Sequence, residues 1–458
     1  MKIDKILCHV GPWSLYHYPE IANQLATSAV VSIVSGHPKC DKVGYFQRYY
    51  QLVTQMKDSE TSASERERDI ILRCRLLRAI PMSTALKHLR AAWLAMGEML
   101  DRERPDLILS ETIDSYVMDA LYFQAVERGI QFLGLVPTFI SGYFRISARG
   151  EYNSSRIVSA EEVTSVLDRL LQKSYRPDFI KNSDSKLIIY ALGRWLRNAI
   201  KIPYFLIKRL NRLEKFNYHN WATLIVARDW FCWFPSFRVG YVDWDTKIGN
   251  SGRPIIYIPL QMIPEATVDY WCDDLAAVDY DSYLINLVQH LSADFTLLIK
   301  EHPNVLGYRN PKLYRLLQNN TAVVFAPTSV NSNELIEAAD AILVWTGSVG
   351  FEAAIRGKPV LTTCKPYYKI GPMFKYIDIS TAPHEITNFI SAVSIHNIDE
   401  IRQELIAHVL SGALPGRYII DGTWSSANPE HLQYARNIAQ QLRAHIQFKI
   451  ELNTLVSG

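Results

Sequence analysis

The sequence predicts an α/β protein with two domains, each built around a parallel β-sheet covered by helices. Three observations predict this fold class. The chain has 458 residues, more than a single hydrophobic core usually supports. Short apolar runs alternate with amphipathic helical patterns in both halves, which is typical of parallel sheets covered on both faces. The polar stretch DTKIGNSGRP, residues 245–254, separates the halves and is interpreted as a linker.

The first half contains four short apolar runs, and each is predicted to be a strand. The runs are KILCHVG (5–11), VVSIVSG (30–36), PDLILSE (105–111) and QFLGLVP (131–137). A helix is predicted over Met82–Arg104, where apolar residues recur every three or four positions. These elements define a first, acceptor-side Rossmann-like domain over residues 1–245.

The second half repeats this pattern over residues 254–415, which are predicted to form a second Rossmann-like domain. Its strands are PIIYIPL (254–260), DFTLLIKEHP (294–303), AVVFAP (322–327), AILVWTG (341–347) and KPVLTTC (358–364). Helices are predicted at Tyr280–Ser292 and Ser348–Arg356. A tail, residues 416–458, follows, and its helix near His431–Gln447 is predicted to pack back on the first domain.

The composition argues against a nucleic-acid-binding, zinc-binding, secreted or membrane-spanning protein. The net charge of +3 is too small to indicate a nucleic-acid partner. Cysteines stand at positions 8, 40, 74, 232, 272 and 364 without a C-x-x-C pair or a zinc-binding spacing. We therefore expect free thiols in a reducing compartment, the cytoplasm. The sequence shows neither a signal peptide nor an uncharged apolar window long enough to span a bilayer.

Residues 186–216 form an amphipathic segment with a strong excess of positive charge, inserted in the first domain. Glu214 is its only acidic residue, and its cations are Lys186, Arg194, Arg197, Lys201, Lys208, Arg209, Arg212 and Lys215. Such a segment can lie on the surface of an anionic membrane or bind an acidic acceptor. It can equally form helices that pack on the domain and leave a basic face in water. Both interpretations stay open at this point.

Parallel-sheet proteins bind ligands at the carboxyl ends of their strands, and polar residues follow the strands of the second domain at that edge. Gln261 and Glu265 follow its first strand, where they could orient polar groups or simply form a turn with a helix cap. Lys300 and His302 end the next strand. Pro303 restricts the backbone conformation of His302, so that its imidazole could contact a phosphate, although a bond to a backbone carbonyl is the simpler alternative.

The segment VWTGSVGFEAAIRGKPVL, residues 344–361, carries the strongest signal. A strand ends at Thr346-Gly347 and a helix begins near Ser348, which directs backbone N–H groups and the positive end of a helix dipole towards the sheet edge. Glu352, in the first turn, could accept hydrogen bonds from ribose hydroxyls or compensate the dipole. The glycine spacing fits neither G-x-G-x-x-G nor a P-loop, so hydride transfer and ATP hydrolysis lose support.

The order QxxxE, HP, TGSxGFEA and GKPV over residues 255–368 resembles the bacterial capsule-polysaccharide biosynthesis glycosyltransferases. Their characterised members include transferases of the sugar acid Kdo from CMP-Kdo. The resemblance implies a GT-B architecture, two Rossmann-like domains facing across a cleft, and no metal or other cofactor. It also implies the nucleotide-sugar-binding residues of the second domain, which are Gln261, Glu265, Lys300, His302, Thr346, Gly347, Ser348 and Glu352.

The resemblance further implies a catalytic carboxylate in the first domain. Glu111 ends a strand there and is predicted to face the cleft, and Asp114 follows it as the expected cap of the next helix. Asp119 falls inside that helix, and His37, in a second His-Pro pair, ranks below the others. We take Glu111, Asp114 and His302 as the catalytic candidates, without separating nucleophile from base.

The predicted function is the transfer of a sugar from a nucleotide donor to a growing capsular or surface polysaccharide or a glycolipid in the cytoplasm. A location at the inner face of the cytoplasmic membrane stays open. A Kdo-like acidic sugar on CMP is the first choice of donor, and a UDP-sugar or another nucleotide sugar is the second. Lys300, Arg309 and Lys365 could balance a donor carboxylate or the phosphate. Two alternatives are a nucleotide-sugar 2-epimerase-like isomerase and a non-catalytic nucleotide-sugar-binding partner in an assembly complex.

Overall fold

Two six-stranded β-sheets form the framework of the protein. The computed structural model describes residues 3–25, 29–57, 62–172, 175, 177, 187–211, 214–218, 221, 243–306, 309–393, 397–418, 424–425 and 427–457. Cys232, Lys186 and Arg212 lie outside the described residues. Each sheet separates two hydrophobic clusters and is covered by helices on both faces, so the predicted fold class is confirmed.

The first sheet has the strand order β12-β5-β4-β3-β1-β2. Its strands are β1 (Lys5–His9), β2 (Val30–Val34), β3 (Leu107–Glu111), β4 (Gln131–Pro137), β5 (Tyr143–Ile146) and β12 (Ala413–Pro415). The four predicted strands, β1 to β4, are parallel, whereas β5 and β12 join antiparallel at one side. The sheet is therefore mixed rather than purely parallel.

Helices of the first half pack on both faces of this sheet. They are α1 (His17–Leu25), α2 (Tyr45–Gln55), α3 (Glu65–Arg73), α4 (Met82–Glu103) and α5 (Tyr116–Glu127). Helices α6 (Ala160–Leu170) and α7 (Leu187–Lys208) follow them in the chain. Side chains alternate between the faces along each strand. In β1, Leu7 packs with α2, α4 and α5, whereas Ile6 and Cys8 pack against α1 on the opposite face.

The second sheet is parallel throughout, with the order β11-β10-β9-β6-β7-β8. Its strands are β6 (Ile255–Pro259), β7 (Thr296–Lys300), β8 (Val323–Ala326), β9 (Ala341–Val344), β10 (Val360–Thr362) and β11 (Phe374–Tyr376). Its helices are α8 (Trp244–Gly249), α9 (Ala266–Asp269), α10 (Tyr280–Leu291), α11 (Pro311–Gln318), α12 (Ser332–Ala338), α13 (Ser348–Ile355), α14 (Pro383–Val393) and α15 (Ile398–Ser411). Residues 245–254, interpreted as a linker, include most of α8.

The chain then returns to the first sheet. Strand β12 pairs with β5, and the last helix, α16 (Pro429–Ser457), packs along α1. The Arg443 guanidinium in α16 donates a hydrogen bond of 2.7 Å from Nε to the carbonyl of Leu25, at the end of α1. Helix α6, in contrast, packs on α15 and its apolar side chains join a cluster of the second sheet. The domain limits 1–245, 254–415 and 416–458 remain predictions.

The two sheets are held together by an ionic contact and an aromatic one. Asp269, which is buried, accepts hydrogen bonds from Arg75 (2.5 Å) and Arg78 (2.8 Å) of the first domain. Phe139, which follows β4, packs against Phe351 of α13 with ring centroids 4.0 Å apart. The carboxyl-end loops of both sheets therefore meet at one interface.

Candidate functional site

Three loops at one edge of the second sheet contain most of the predicted binding residues. Strand β6 lies between β7 and β9, and Pro259 of β6 is paired with Lys300 of β7. The residues that follow these strands, Gln261, His302 and Thr346, therefore emerge at the same edge of the sheet. Strands β7 and β9 are two strand spacings, about 10 Å, apart. A diphosphate with its sugar can bridge this distance.

The side chain of Gln261 lies directly against Gly347. A Cβ atom at Gly347 would fall 2.8 Å from the Gln261 side-chain Nε2, so a larger residue there would displace this amide. The Gln261 backbone is fixed as well, because its N–H donates to the Tyr280 hydroxyl (3.0 Å) and its carbonyl accepts from Arg309 (2.6 Å). The loops after β6 and β9 are thus packed together as one unit.

Two further hydrogen bonds hold the turn before α13. The Thr346 hydroxyl donates to the carbonyl of Thr267 at 2.6 Å, and the Tyr368 hydroxyl donates to the carbonyl of Gly347 at 2.5 Å. Gly347 occupies the N-cap of α13, where no side-chain oxygen caps the backbone N–H groups. The first N–H groups of the helix, together with its dipole, form a positively polarised end next to the Gln261 amide.

Glu352 lies one turn into α13 and is paired with Ser348. The Ser348 hydroxyl donates to Glu352 Oε1 at 3.1 Å. Burial raises the pKa of the Glu352 carboxyl, whereas the bond from Ser348 and the charges of Arg356 and Lys300 lower it. Ser348 and Glu352 are therefore bonded to each other. A ribose or phosphate group that binds either side chain would have to replace this hydrogen bond.

The Lys300-Glu301-His302-Pro303 corner is held by a buried ion pair. Glu301 binds Arg309 with both carboxylate oxygens, at 2.6 and 3.0 Å, and also accepts from the Tyr314 hydroxyl. The backbone N–H of His302 donates to Glu301 Oε1 at 2.6 Å. Arg309, predicted as a possible contact of the donor, is instead occupied in fixing this corner.

His302 itself is partly exposed and begins a 3-10 turn over Pro303–Val305. Its Nδ1 accepts a hydrogen bond from the backbone N–H of Asn304 at 3.2 Å. A neutral imidazole that accepts at Nδ1 carries its proton on Nε2. His302 is therefore arranged as a hydrogen-bond donor through Nε2.

The two lysines suggested as counterions are bound to protein groups. Lys300 is buried, and its ammonium donates to the carbonyl of Val330 and to the Ser332 hydroxyl. Lys365 is exposed and forms an ion pair with Asp273 at 3.3 Å. The positive charge of Lys300 is thus buried under the loops that follow the strands, whereas that of Lys365 is exposed to solvent.

Glu111 ends β3 in the first domain, as predicted. Burial and, to a lesser degree, the charge of Asp114 raise the pKa of its carboxyl to about 8, against the opposing effect of the hydrogen bond from Trp13. The Trp13 indole donates to Glu111 Oε2 at 3.4 Å. A carboxyl with this pKa can exchange a proton near neutral pH, the property required of a catalytic acid or base.

Asp114 does not cap the following helix, which corrects that prediction. Ser115 occupies the N-cap of α5, and no side chain makes the capping bond. Burial raises the pKa of the Asp114 carboxyl, and the positive charge of Arg75 opposes this. Glu265, from the second domain, shows the same pattern: burial raises its pKa, while its bond to Thr267 and the charge of Arg75 lower it.

Arg75 therefore links carboxylates of both domains. Its Nε donates to Asp269, and its charge acts on Asp114 and Glu265. Sequence reasoning missed Arg75 and Asp269, because 194 positions separate them and neither belongs to a motif. Asp119 lies apart from this group, buried in α5 with the Arg149 guanidinium 3.4 Å away.

Among the described residues, no group of three His, Cys, Asp or Glu side chains is placed to hold a metal ion. The chemistry available at the interface is instead that of carboxylates, an imidazole, an amide and a helix N-terminus. These groups can bind an anion on the side of the second domain and move a proton on the side of the first.

Comparison with protein families gives a match over residues 241–373, the segment that holds β6 to β10 and all three loops. The matching family is described as "Capsule polysaccharide biosynthesis protein". This segment, somewhat less than a third of the chain, matches the model of that family. The predicted family resemblance is therefore confirmed, and the family segment includes every second-domain candidate residue from Gln261 to Glu352.

None of the curated proteins matches the chain. Among solved structures, this chain is similar to the beta Kdo 2,7 transferase of Thermosulfurimonas dismutans KpsC, with 14% identity, a TM-score of 0.38, and coverage of 95% of this chain and 99% of that one. It is also similar to the Methanocaldococcus jannaschii UDP-GlcNAc 2-epimerase, with 13% identity, a TM-score of 0.30, and coverage of 89% and 99%.

Proposed function

We propose that this capsule polysaccharide biosynthesis protein is a glycosyltransferase that moves a sugar from a nucleotide donor to a growing capsular or surface polysaccharide or a glycolipid. The observation that carries the proposal is the packing of Gln261 against Gly347 at the start of α13, beside the loop of His302. This arrangement suits a phosphate, because helix N-termini and amide groups donate hydrogen bonds to anions.

In this proposal His302 donates a hydrogen bond from Nε2 to the donor phosphate. The bond gains strength as negative charge develops on the departing phosphate, which lowers the barrier to transfer. The N–H groups that begin α13 bind the same anion, and Glu352 binds a ribose hydroxyl after release from Ser348. Glu265 and Lys300 line the nucleotide-sugar site on the side of the second domain.

Glu111 acts on the acceptor side. The raised pKa of its carboxyl makes it suitable to take the proton of the acceptor hydroxyl, or to attack the anomeric carbon itself. Either role uses the ionised form. Asp114 shares the environment of Glu111 and helps to set its pKa, because the two carboxylates repel each other.

A Kdo-like acidic sugar carried on CMP is the proposed donor, with a UDP-sugar as the second choice. The structure of the Thermosulfurimonas protein is described as that of a Kdo transferase, and the sequence motifs resemble those of the Kdo enzymes. The cytoplasm is the proposed location, supported by the described cysteines, all of which are free and buried.

A 2-epimerase is the alternative activity, since solved structures described as UDP-GlcNAc 2-epimerases are among those similar to this chain. An epimerase would interconvert a free nucleotide sugar in the absence of any acceptor. A non-catalytic binding partner would bind the nucleotide and show no turnover. The transferase proposal requires turnover only when donor and acceptor are both present.

The first test is a thermal-shift panel with CMP, CDP, UDP and GDP. A nucleotide that binds only the folded protein adds ~2.7 kcal/mol of stability at about 100 times its Kd. A rise in Tm with CMP alone would support the proposed donor, and a rise with UDP alone would favour the second choice. The transferase proposal fails if no nucleotide binds, or if a bound nucleotide sugar is converted without an acceptor.

A further inference from the structure

Helix α7 exposes an apolar face that a helix in water normally turns inward. Six large side chains form this face, and each is between 42% and 69% exposed: Ile189, Leu192, Leu196, Ile200, Tyr204 and Ile207. Their spacing of three or four residues places them along one side of the helix. We call this set the α7 stripe.

The opposite side of α7 already provides its contact with the protein. Trp195, Ile202 and Phe205 are partly buried on that side, and α7 contacts the turn Pro303–Val305. The helix therefore does not need the α7 stripe to stay in place. A large exposed apolar surface of this kind indicates an interaction site.

The charges beside the α7 stripe identify its partner. No Asp or Glu occurs from residue 187 to residue 211. At 100° per residue, Arg197, Lys201 and Lys208 follow one flank of the stripe, with Arg197 and Lys201 exposed. A second copy of this chain, docked antiparallel about a two-fold axis, would bring cations against cations, whereas anionic lipid head groups complement them.

We propose that α7 is an interfacial helix that binds the surface of an anionic bilayer. The α7 stripe lies among the upper acyl chains, and Arg197, Lys201 and Lys208 lie at the level of the lipid phosphates. In the described ranges of the chain, no helix has the length and apolar character to cross a bilayer. Helix α7 binds parallel to the surface, which requires only one apolar side.

This placement sets the membrane next to the candidate site. The turn that α7 contacts begins directly after His302. A lipid-linked acceptor could then present its glycan to the cleft without leaving the bilayer. This last step rests on the proposed transferase function, whereas the docking of α7 does not.

The test is flotation of the full chain with vesicles of phosphatidylcholine, with and without phosphatidylglycerol. We expect the wild type to float only with the anionic vesicles, and less so at high salt. The double variant Ile200→Asp/Ile207→Asp should lose at least about tenfold of its vesicle affinity. Arg197→Gln/Lys201→Gln should weaken binding to anionic vesicles while keeping the stripe intact.

The matched control is Val126→Asp/Ile157→Asp, which adds the same charge at two exposed apolar positions outside α7 (54% and 87% exposed). It should float like the wild type, and equal Tm values would show that all variants fold. Flotation of the stripe variant at the wild-type level would overturn the proposal. The proposal would also be overturned if the wild type did not bind vesicles but formed a dimer, and the stripe variant were a monomer. The partner of the α7 stripe would then be a second copy of the chain. Neither result would affect the transferase proposal.

Discussion

The side-chain amide of Gln261 and the backbone of Gly347 are in direct contact, with no room for a Cβ atom between them. This contact joins the loops after β6 and β9 at the beginning of α13. The amide and the helix N-terminus therefore keep a fixed relative position before any ligand arrives. Preorganised donors of this kind stabilise an anion without having to reorient.

Gly347→Ala should displace the Gln261 amide and lower transferase activity by about tenfold to 100-fold, as expected when an anion-binding donor is misplaced. The added Cβ would stand 2.8 Å from Nε2, so the amide must move. Steady-state kinetics with donor and acceptor would measure the loss. Gly249→Ala is the control, because a Cβ there meets no atom within 4 Å. Equal activity of both variants would contradict the assigned role of the contact.

His302→Asn should keep the fold and lose about 100-fold in kcat. Asparagine is a good N-cap residue, so it can still accept from the Asn304 N–H that now bonds to the imidazole. It cannot reproduce the Nε2 donor at the same position. Measured Tm values should agree with the wild type while the single-turnover rate falls. A fully active variant would remove the phosphate role of His302.

The pH dependence of kcat/KM should report the Glu111 carboxyl, which burial gives a pKa of about 8. Because a base or nucleophile works when ionised, kcat/KM should rise with pH and level off above about 8. Glu111→Gln should lose about 100-fold or more in activity at pH 8. A profile that falls across this range would show instead that the protonated form is active.

The same carboxyl should also affect stability. Its pKa in the folded protein lies above the ordinary value of 4.5, so the folded state favours the protonated form. The stability that this contributes is complete below pH 4.5 and is lost as the pH rises through about 8. The Tm of Glu111→Gln should therefore increase relative to the wild type from pH 5 to pH 8. A Tm difference independent of pH would contradict the raised pKa.

Asp269→Asn should lower the free energy of unfolding by about 3 kcal/mol. The change leaves Arg75 and Arg78 without their buried counterion, and breaking a buried pair is costly. Urea denaturation would measure it. Glu98→Gln is the control, since it removes the half-exposed pair with Arg48 and should leave stability almost unchanged. If both variants unfold alike, the contact between the domains is not stabilising.

Most strands of the fold are predictable because buried parallel strands are nearly continuous apolar runs. Two examples are the apolar run that ends at Gly11, which contains β1, and the run that begins at Pro254, which contains β6. Strand β5 was missed because it is short and carries Arg145, a residue atypical of a core. The structure explains it: the Arg145 guanidinium lies 3.5 Å from the centre of the Tyr367 ring, in the other domain.

The candidate site was predictable in part for the same reason. Residues that follow neighbouring parallel strands meet at one edge, so the proximity of Gln261, His302 and Gly347 follows once the strands are assigned. The surroundings of Glu265 cannot be predicted from the strand assignment, because Arg75 comes from the other domain and from a segment without a motif. Side chains that meet across a domain interface leave no periodic signal.

The return of the chain to the first sheet sets the order in which the protein can be completed on the ribosome. Strand β12 and helix α16 follow the second sheet in the sequence but belong to the first. All six strands of the second sheet have therefore been translated before the first sheet receives its edge strand and the helix that covers α1. A nascent first domain therefore exposes this apolar surface while the second sheet is being synthesised, and exposed apolar surface of this kind favours aggregation during folding.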